Sequence, residues 1–388
     1  MKQHVTVGID IGTATTRVVV CEHASEREGV ARVLGTGVVA TKGMRHGYVV
    51  NRDEVAQSVT RAVRDAEKES GVRIRSANIA IGGVGIATEY ATGMSVVTRA
   101  DGVVSKLDIE KAIAEAEGTL DLKNRTILHA FPLVFKVDGK ELPARPEGIR
   151  GIKLEVKVLF ITAFEQHLDD LLWTINEAGI KVTNFTATPI AAEHVLLDDL
   201  QRNFGCTLID IGAETVSVAV FENNMLTSTH VFGIGSLDIT KDIALGLRIT
   251  PEEAEGIKTG VISFQHVPKK RLDEIIDARL SDIFELVDKY FRKIGRSGLL
   301  PAGAIITGGA SVMPAIEQVA KAILKIPVRI GHVEIPSTKS SIKDNRFLVA
   351  YGVATAETAH TGTKQSKGSL DTDGFLDTIK HFFKQLMP

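Results

Sequence analysis

Val5-Thr6-Val7-Gly8-Ile9-Asp10-Ile11-Gly12-Thr13-Ala14-Thr15-Thr16-Arg17-Val18-Val19-Val20-Cys21 decides the fold. Val5, Val7, Ile9 and Ile11 alternate with Thr6, Gly8 and Asp10, the period of two that marks a strand. A turn over Gly12-Thr13-Ala14-Thr15-Thr16 then leads into a second strand, Arg17 to Cys21. The pattern returns 200 residues later as Thr207-Leu208-Ile209-Asp210-Ile211-Gly212-Ala213-Glu214-Thr215 followed by Val216-Ser217-Val218-Ala219-Val220-Phe221. Seven of the twelve positions starting at Ile9 and Ile209 are identical. Two such hairpins opening two halves of a chain predict duplicated α/β domains, each begun by its own sheet.

Working outward, Asn51 or Asp53 can cap a helix that runs to Ser70 and stops at Gly71. Residues 84–161 read as an insertion. They hold a helix near Leu107–Glu117, a Pro/Gly-rich stretch and an alternating strand from Ile152 to Phe160. Helices are then expected at Phe164–Gly179 and Pro189–Leu200, around a strand at Lys181–Thr186. The second half predicts helices at Ile239–Leu247, Pro251–Gly260 and Arg271–Ile294. A strand at Ala304–Thr307 enters Gly308-Gly309, ahead of a helix at Pro314–Leu324.

The chain of 388 residues has 46 Lys+Arg against 48 Asp+Glu, a net charge of -2. No positive field gathers nucleic acid, so none is expected as a partner. With 44% hydrophobic and 24% charged residues the composition is that of a folded globular protein. Two cysteines, Cys21 and Cys206, exclude a disulfide scaffold and read as buried thiols. No apolar signal region opens the sequence, and no run of about 18 apolar residues could span a bilayer, so a cytoplasmic protein is expected.

The two hairpin turns carry the chemistry. Gly, Thr and Ser between strands leave backbone N–H groups and hydroxyls open to a phosphate. Asp10 and Asp210 would face each other at the strand ends, where paired carboxylates suit a hydrated Mg²⁺. One Asp-x-Gly alone is satisfied by a tight turn; two matched copies favour phosphate. Thr307-Gly308-Gly309 would let a planar ring lie against backbone.

The second signal lies at 374–388. Phe375, Leu376, Ile379, Phe382, Phe383, Leu386 and Met387 fall on one helical stripe, with Lys380 and Lys384 along the polar side. A polar stretch over 361–373 tethers it. The segment is too short to span a membrane and is expected to lie on an anionic surface. Partial burial of such a stripe is worth about 5–8 kcal/mol at most, weak for one tail and strong for several on one filament.

Two Asp-Ile-Gly hairpins with a downstream Thr-Gly-Gly resemble the actin-like ATPase superfamily. Within it the chain resembles the bacterial cell-division FtsA family over nearly its whole length. The supporting segments are Gly43-Met44-Arg45-His46-Gly47-Tyr48-Val49-Val50, Ile127–Pro132, Val137-Asp138-Gly139, Gly148–Val156, Thr240–Arg248 and Glu252–Glu255. The resemblance implies an α/β, actin-like fold: two duplicated domains around a nucleotide cleft, a small α+β insertion and a C-terminal amphipathic helix. The first core would comprise 1–83, 162–204 and 336–360, with 84–161 inserted. The second would comprise 205–235 and 300–335, with 236–299 as its outer subdomain.

By the same resemblance, ATP and Mg²⁺ are the expected cofactors. Gly12, Thr13, Ala14, Thr15, Thr16, Gly212, Ala213, Glu214 and Thr215 would contact the triphosphate, and Asp10 and Asp210 would organise Mg²⁺ through water. Gly235 would approach the phosphates or sugar; Glu255 and Lys258 would touch ribose and adenine; Gly308, Gly309 and Met313 would border the base. Glu255 and Lys258 also read as an i,i+3 surface ion pair. The family usually has Asp-Ile-Gly-Gly-Gly-Thr where this chain has Ala213 and Glu214. Thr188 stands where relatives carry a group that orients water, and a hydroxyl is a poor base near neutral pH. Glu193 and Glu214 are the stand-ins, and hydrolysis is expected to be slow or absent.

The implied function is an ATP-binding scaffold that polymerises on the cytoplasmic face of the inner membrane at the division septum. It would anchor FtsZ by binding that protein's carboxy-terminal tail at about 236–300, and would meet other division proteins through 84–161. The alternatives are an ATP phosphotransferase of the sugar- or acid-kinase branch and a pilus-assembly scaffold.

Overall fold

The computed structural model describes residues 4–23, 31–262, 269–338 and 340–360. The predicted linker over 361–373 and the amphipathic helix over 374–388 lie outside the described residues. The chain divides into two compact units: Met1–Val84 with Asp170–Thr355, and Gly85–Asp169 with the residues from Ala356 onward.

Strands β1 (His4–Ile11), β2 (Thr15–His23) and β3 (Ala31–Ala40) form a meander, followed by a miniature hairpin of β4 (Met44–Arg45) and β5 (Tyr48–Val49). Helix α1 (Arg52–Ser70) starts where Asn51 accepts the Glu54 N–H, and ends at Gly71 with φ 70°, a left-handed stop. Its stripe of Val55, Ala56, Val59, Ala62, Val63 and Ala66 is buried. Gly37 of β3 makes this packing possible: a Cβ there would stand 1.9 Å from the Ala62 carbonyl oxygen. Strand β6 (Ser76–Ile81) then runs parallel to β1.

In the second unit β7 (Ala87–Val96), α2 (Lys106–Gly118), β8 (Arg125–Val137), β9 (Lys140–Leu142) and β10 (Lys153–Phe164) build a four-stranded antiparallel sheet in the order β7-β10-β8-β9. Helix α2 covers one face through Ile109, Ala112, Ile113 and Ala116, against Leu154, Val156, Val158 and Phe160. Asp108 fixes its start by accepting from the Ser105 and Thr98 hydroxyls and N–H groups at 2.6–3.1 Å. The observed strand starts one residue later and runs four residues further than the predicted Ile152–Phe160, because Thr162 to Phe164 still pair with β8.

Helix α3 (Glu165–Glu177) leads to β11 (Lys181–Ala187). The single helix expected over Pro189–Leu200 is two, α4 (Thr188–Leu196) and α5 (Asp199–Phe204). Leu197 is extended, and Asp198 caps the second helix by exchanging hydrogen bonds with Gln201. The second half then supplies β12 (Cys206–Ile211), β13 (Val216–Glu222), β14 (Met225–Phe232), α6 (Ser236–Leu247), α7 (Pro251–Lys258), α8 (Lys269–Lys293), β15 (Gly303–Thr307), α9 (Ile316–Leu324), β16 (Val328–Ile330) and α10 (Leu348–His360). Ala315 has φ 61°, so α9 begins two residues after the predicted Pro314.

The first sheet has the order β11-β6-β1-β2-β3 and the second β16-β15-β12-β13-β14. In each, three antiparallel strands (β1-β2-β3, β12-β13-β14) are extended on one side by two parallel ones (β6 and β11, β15 and β16). The duplication legible in two hairpins therefore extends to whole sheets. The second sheet packs on α6, α8 and α9 through Ile239, Ile243, Ile283, Phe284, Val287, Phe291, Ile316 and Ala320. Among the described residues no helix is long and apolar enough to cross a membrane.

Candidate functional site

Both hairpin turns close in the same way. The Gly12 N–H donates to the Thr15 carbonyl at 3.1 Å, and the Gly212 N–H to the Thr215 carbonyl at 2.9 Å. Each turn is then held from outside. Ala14 O accepts the Thr41 N–H at 3.0 Å, and the buried Thr16 hydroxyl pairs with Thr41 at 2.8 Å. In the second turn, Gly212 O and Ala213 O accept the first N–H groups of α6, from Ser236 and Leu237, at 2.9 and 2.8 Å. Gly235 caps that helix, and a Cβ on it would stand 2.4 Å from Ala213 O. The segment carrying Gly235 is thus packed on the second turn by direct backbone contact.

Asp10 and Asp210 sit one residue before the ends of β1 and β12. Burial pushes both carboxyls up; for Asp210 the nearby Asp10 charge adds to the effect and Arg17 opposes it, leaving it at about 7. The two carboxylates thus share one electrostatic environment. Arg17, Asp10's cross-strand partner, was not singled out from the sequence. Burial lowers its pKa, while Asp10, Asp344 and Asp210 act against that and Arg346 adds to it. The signal was countable: with a turn at 12–15, Asp10 must pair with Arg17, whereas Asp210 pairs with Ser217.

Gly308 follows β15 with φ 90°, and a Cβ there would meet Asp210 Oδ1 at 2.2 Å and Ile211 O at 2.5 Å. Gly308 is therefore brought against Asp210, whereas a Cβ on Gly309 would meet nothing within 4 Å. Met313 is not available in the same way: its side chain is 7% exposed and belongs to the core of the second half. Glu255 and Lys258 pair at 2.6 Å as the i,i+3 spacing predicts, but the Lys258 side chain is buried rather than on the surface. Lys258 also donates to Ser236 O at 3.1 Å and Thr240 Oγ1 at 2.7 Å, and Thr240 donates to Glu255 at 2.5 Å. That network ties α7 to α6.

Of the two water-positioning candidates, Glu193 lies elsewhere. It is ion-paired with Arg202, and its charge acts on the Cys206 thiol at the far end of β12 from Asp210. Four residues of strand span about 13 Å. Glu214 does lie at the turn, but its carboxylate accepts the His46 N–H at 2.6 Å, while His46 Nδ1 meets Glu214 O at 3.1 Å. The neighbouring Gly47 N–H donates to Thr13 Oγ1 at 3.1 Å. His46 stood in a segment read only for its resemblance; its contact joins residues 168 apart and had no local signal. Asp10, Arg17, Asp210, Gly308 and both turns are thus brought to one place, a set of charges and turns whose chemistry suits a phosphorylated ligand with a cation.

The family model for cell division protein FtsA matches residues 207–352, and that for the SHS2 domain inserted in FtsA matches 83–162. Cell division protein FtsA of Bacillus subtilis (strain 168) is 31% identical over 368 residues, covering 89% of this chain and 82% of that one. Among solved structures, the PilM–PilN type IV pilus biogenesis complex aligns with a TM-score of 0.67 at 16% identity, over 91% of this chain and 98% of that chain. MreB5 of Spiroplasma citri bound to ADP aligns with a TM-score of 0.53 at 11% identity, over 92% and 97%. The matched pair of sheets is thus an actin-like fold, 83–162 is its SHS2 insertion, and the chain belongs to the FtsA family of cell division proteins.

Proposed function

We propose that this cell division protein binds ATP with Mg²⁺ between its two halves, self-associates in that state, and ties FtsZ to the cytoplasmic membrane through its C-terminal helix. The observation that carries the nucleotide reading is the desolvated pair Asp10 and Asp210, opposed by Arg17, between two backbone turns. This donor set is short of positive charge, and a divalent cation fits it. Mg²⁺ held there through water would offset the charge of the phosphates. The turns Gly12–Thr16 and Gly212–Thr215 would donate N–H groups to phosphate oxygens, Arg17 would supply a fixed cation, and Gly308-Gly309 would lie along the base. The ADP of the MreB5 structure supports the reading through shared fold.

Hydrolysis is slow in this proposal. Thr188 is a hydroxyl, Glu193 is held by Arg202, and Glu214 is engaged by His46. ATP then acts as a ligand that favours assembly, and assembly multiplies weak tails into firm attachment. The SHS2 insertion would serve other division proteins, and the outer subdomain at 236–299 would take the FtsZ tail.

Flotation with anionic liposomes tests this, using the full chain and a truncation before Gly374, each with and without ATP–Mg²⁺. The expected result is membrane binding that requires residues 374–388 and rises with ATP–Mg²⁺. Equal flotation of both forms would overturn the anchoring role; binding indifferent to ATP would overturn the nucleotide coupling.

A further inference from the structure

The β4–β5 hairpin reaches the cleft at its tip. His46 and Gly47 are its two turn residues, with φ 48° and 82°, and Met44 pairs with Val49 and Arg45 with Tyr48. Positive φ at both positions is what a two-residue type I′ turn requires, the turn whose twist matches the flanking strands. The base is tied down as well, since Val50 and Asn51 both donate to Gly43 O at 2.8 and 3.0 Å and Asn51 caps α1. At the tip, a Cβ on Gly47 would lie 2.4 Å from Gly83 Cα, so the tip rests directly on backbone.

From this tip two successive N–H groups serve different halves. Gly47 donates to Thr13 of the first turn, within its own half. His46 donates to the Glu214 carboxylate of the second turn, and its ring meets Glu214 O. We infer that the β4–β5 hairpin is a latch joining the two phosphate turns, with Glu214 as its moving part and a positioning residue rather than a water-orienting one. The side chain that departs from the family's Gly-Gly-Gly pattern is thereby turned out of the phosphates' way, onto the opposite half. Opening the cleft requires both contacts between His46 and Glu214 to break, so the latch slows release of any ligand between the halves. Its effect on bound ATP rests on the nucleotide reading above; the latch itself does not.

The test uses the full chain with Glu214→Ala, Glu214→Gln and His46→Gly, and two readouts. Hydrogen exchange of the His46 amide is followed without nucleotide. Release of a fluorescent N-methylanthraniloyl ATP is followed by dilution into unlabelled ATP. A hydrogen bond to a charged acceptor is worth about a tenfold factor or more. Glu214→Ala is therefore expected to speed amide exchange and nucleotide release about tenfold. Glu214→Gln, whose amide oxygen still accepts, stays within a few-fold of the unsubstituted protein in both. His46→Gly keeps the N–H and loses only the ring contact, so its amide stays protected while release quickens modestly. Unchanged exchange at His46 in Glu214→Ala overturns the latch, as does slower nucleotide release. If the analogue does not bind the unsubstituted chain, the nucleotide reading fails, and the exchange result alone decides the latch.

Discussion

Asp210→Asn is the most informative single change because it removes one of two carboxylates that the fold forces together. Burial, then the Asp10 charge, hold the Asp210 carboxyl up to about 7, while Arg17 opposes them. An acid raised above its unfolded value of about 3.8 contributes stability that is complete below that value and is lost as the pH rises through about 7. At about 1.4 kcal/mol per unit, three units set an upper limit of about 4 kcal/mol. Asp210 retains some solvent contact, which screens the effect to about 2–3 kcal/mol. Thermal unfolding of the nucleotide-free protein between pH 5 and 8 reads this out. The neutral amide should melt about 5 °C above the unsubstituted protein at pH 8, with the gap closing towards pH 5. Added ATP–Mg²⁺ should raise the unsubstituted melting temperature and leave the variant's nearly unmoved. The difference between the two proteins removes the contributions of titrating groups distant from Asp210. A gap independent of pH, or a variant less stable at pH 8, would refute the reasoning.

Gly37→Ala should destabilise the first unit by about 3 kcal/mol in urea unfolding, since its Cβ would strike the Ala62 carbonyl at 1.9 Å and force α1 off the sheet. Asp108→Ala should cost the SHS2 insertion about 3 kcal/mol, because four hydrogen bonds from Ser105 and Thr98 lose one acceptor; the burial penalty on this carboxyl is outweighed by those bonds, which hold it down to about 2. Local protease sensitivity in 85–169 would register the loss. His129, 3% exposed, is held down to about 4 by burial, so it stays neutral in the fold. Its contribution is complete above pH 6.5 and drains away, by about 3 kcal/mol, as the pH falls towards 4. A His129 ring resonance that titrates near pH 6.5 would contradict this.

Local signals were read accurately where the physics is local. Gly71 and a pair of candidate caps, of which Asn51 is the one used, announced both ends of α1, because a cap needs only a side-chain oxygen at one end and a tolerated positive φ at the other. The alternation of Val5 to Ile11 and its echo 200 residues later gave the paired hairpins. Periodicity fails where a helix breaks without Gly or Pro. The run Pro189–Leu200 looked continuous, and only the extended Leu197 and the capping of Asp198 by Gln201 divide it. The candidate site residues followed the same division. The turns, Asp10 and Asp210 were visible as a motif, whereas Arg17 required the strand register and His46 required the meeting of two distant segments.

The sequence by itself determined the duplication, the fold class, the family and the two matched turns, since each rests on short segments whose residues lie within about a dozen positions of one another. The tertiary structure alone decided what the individual charges do. It sent Glu193 to Arg202, locked Lys258 into Glu255, Ser236 and Thr240, and turned Glu214 onto the His46 backbone. A carboxylate's role is set by which donors and cations lie within a few ångströms, and in this fold many of those neighbours come from other elements. Such partners are fixed only when the sheets pack, so no pattern along the chain could have named them.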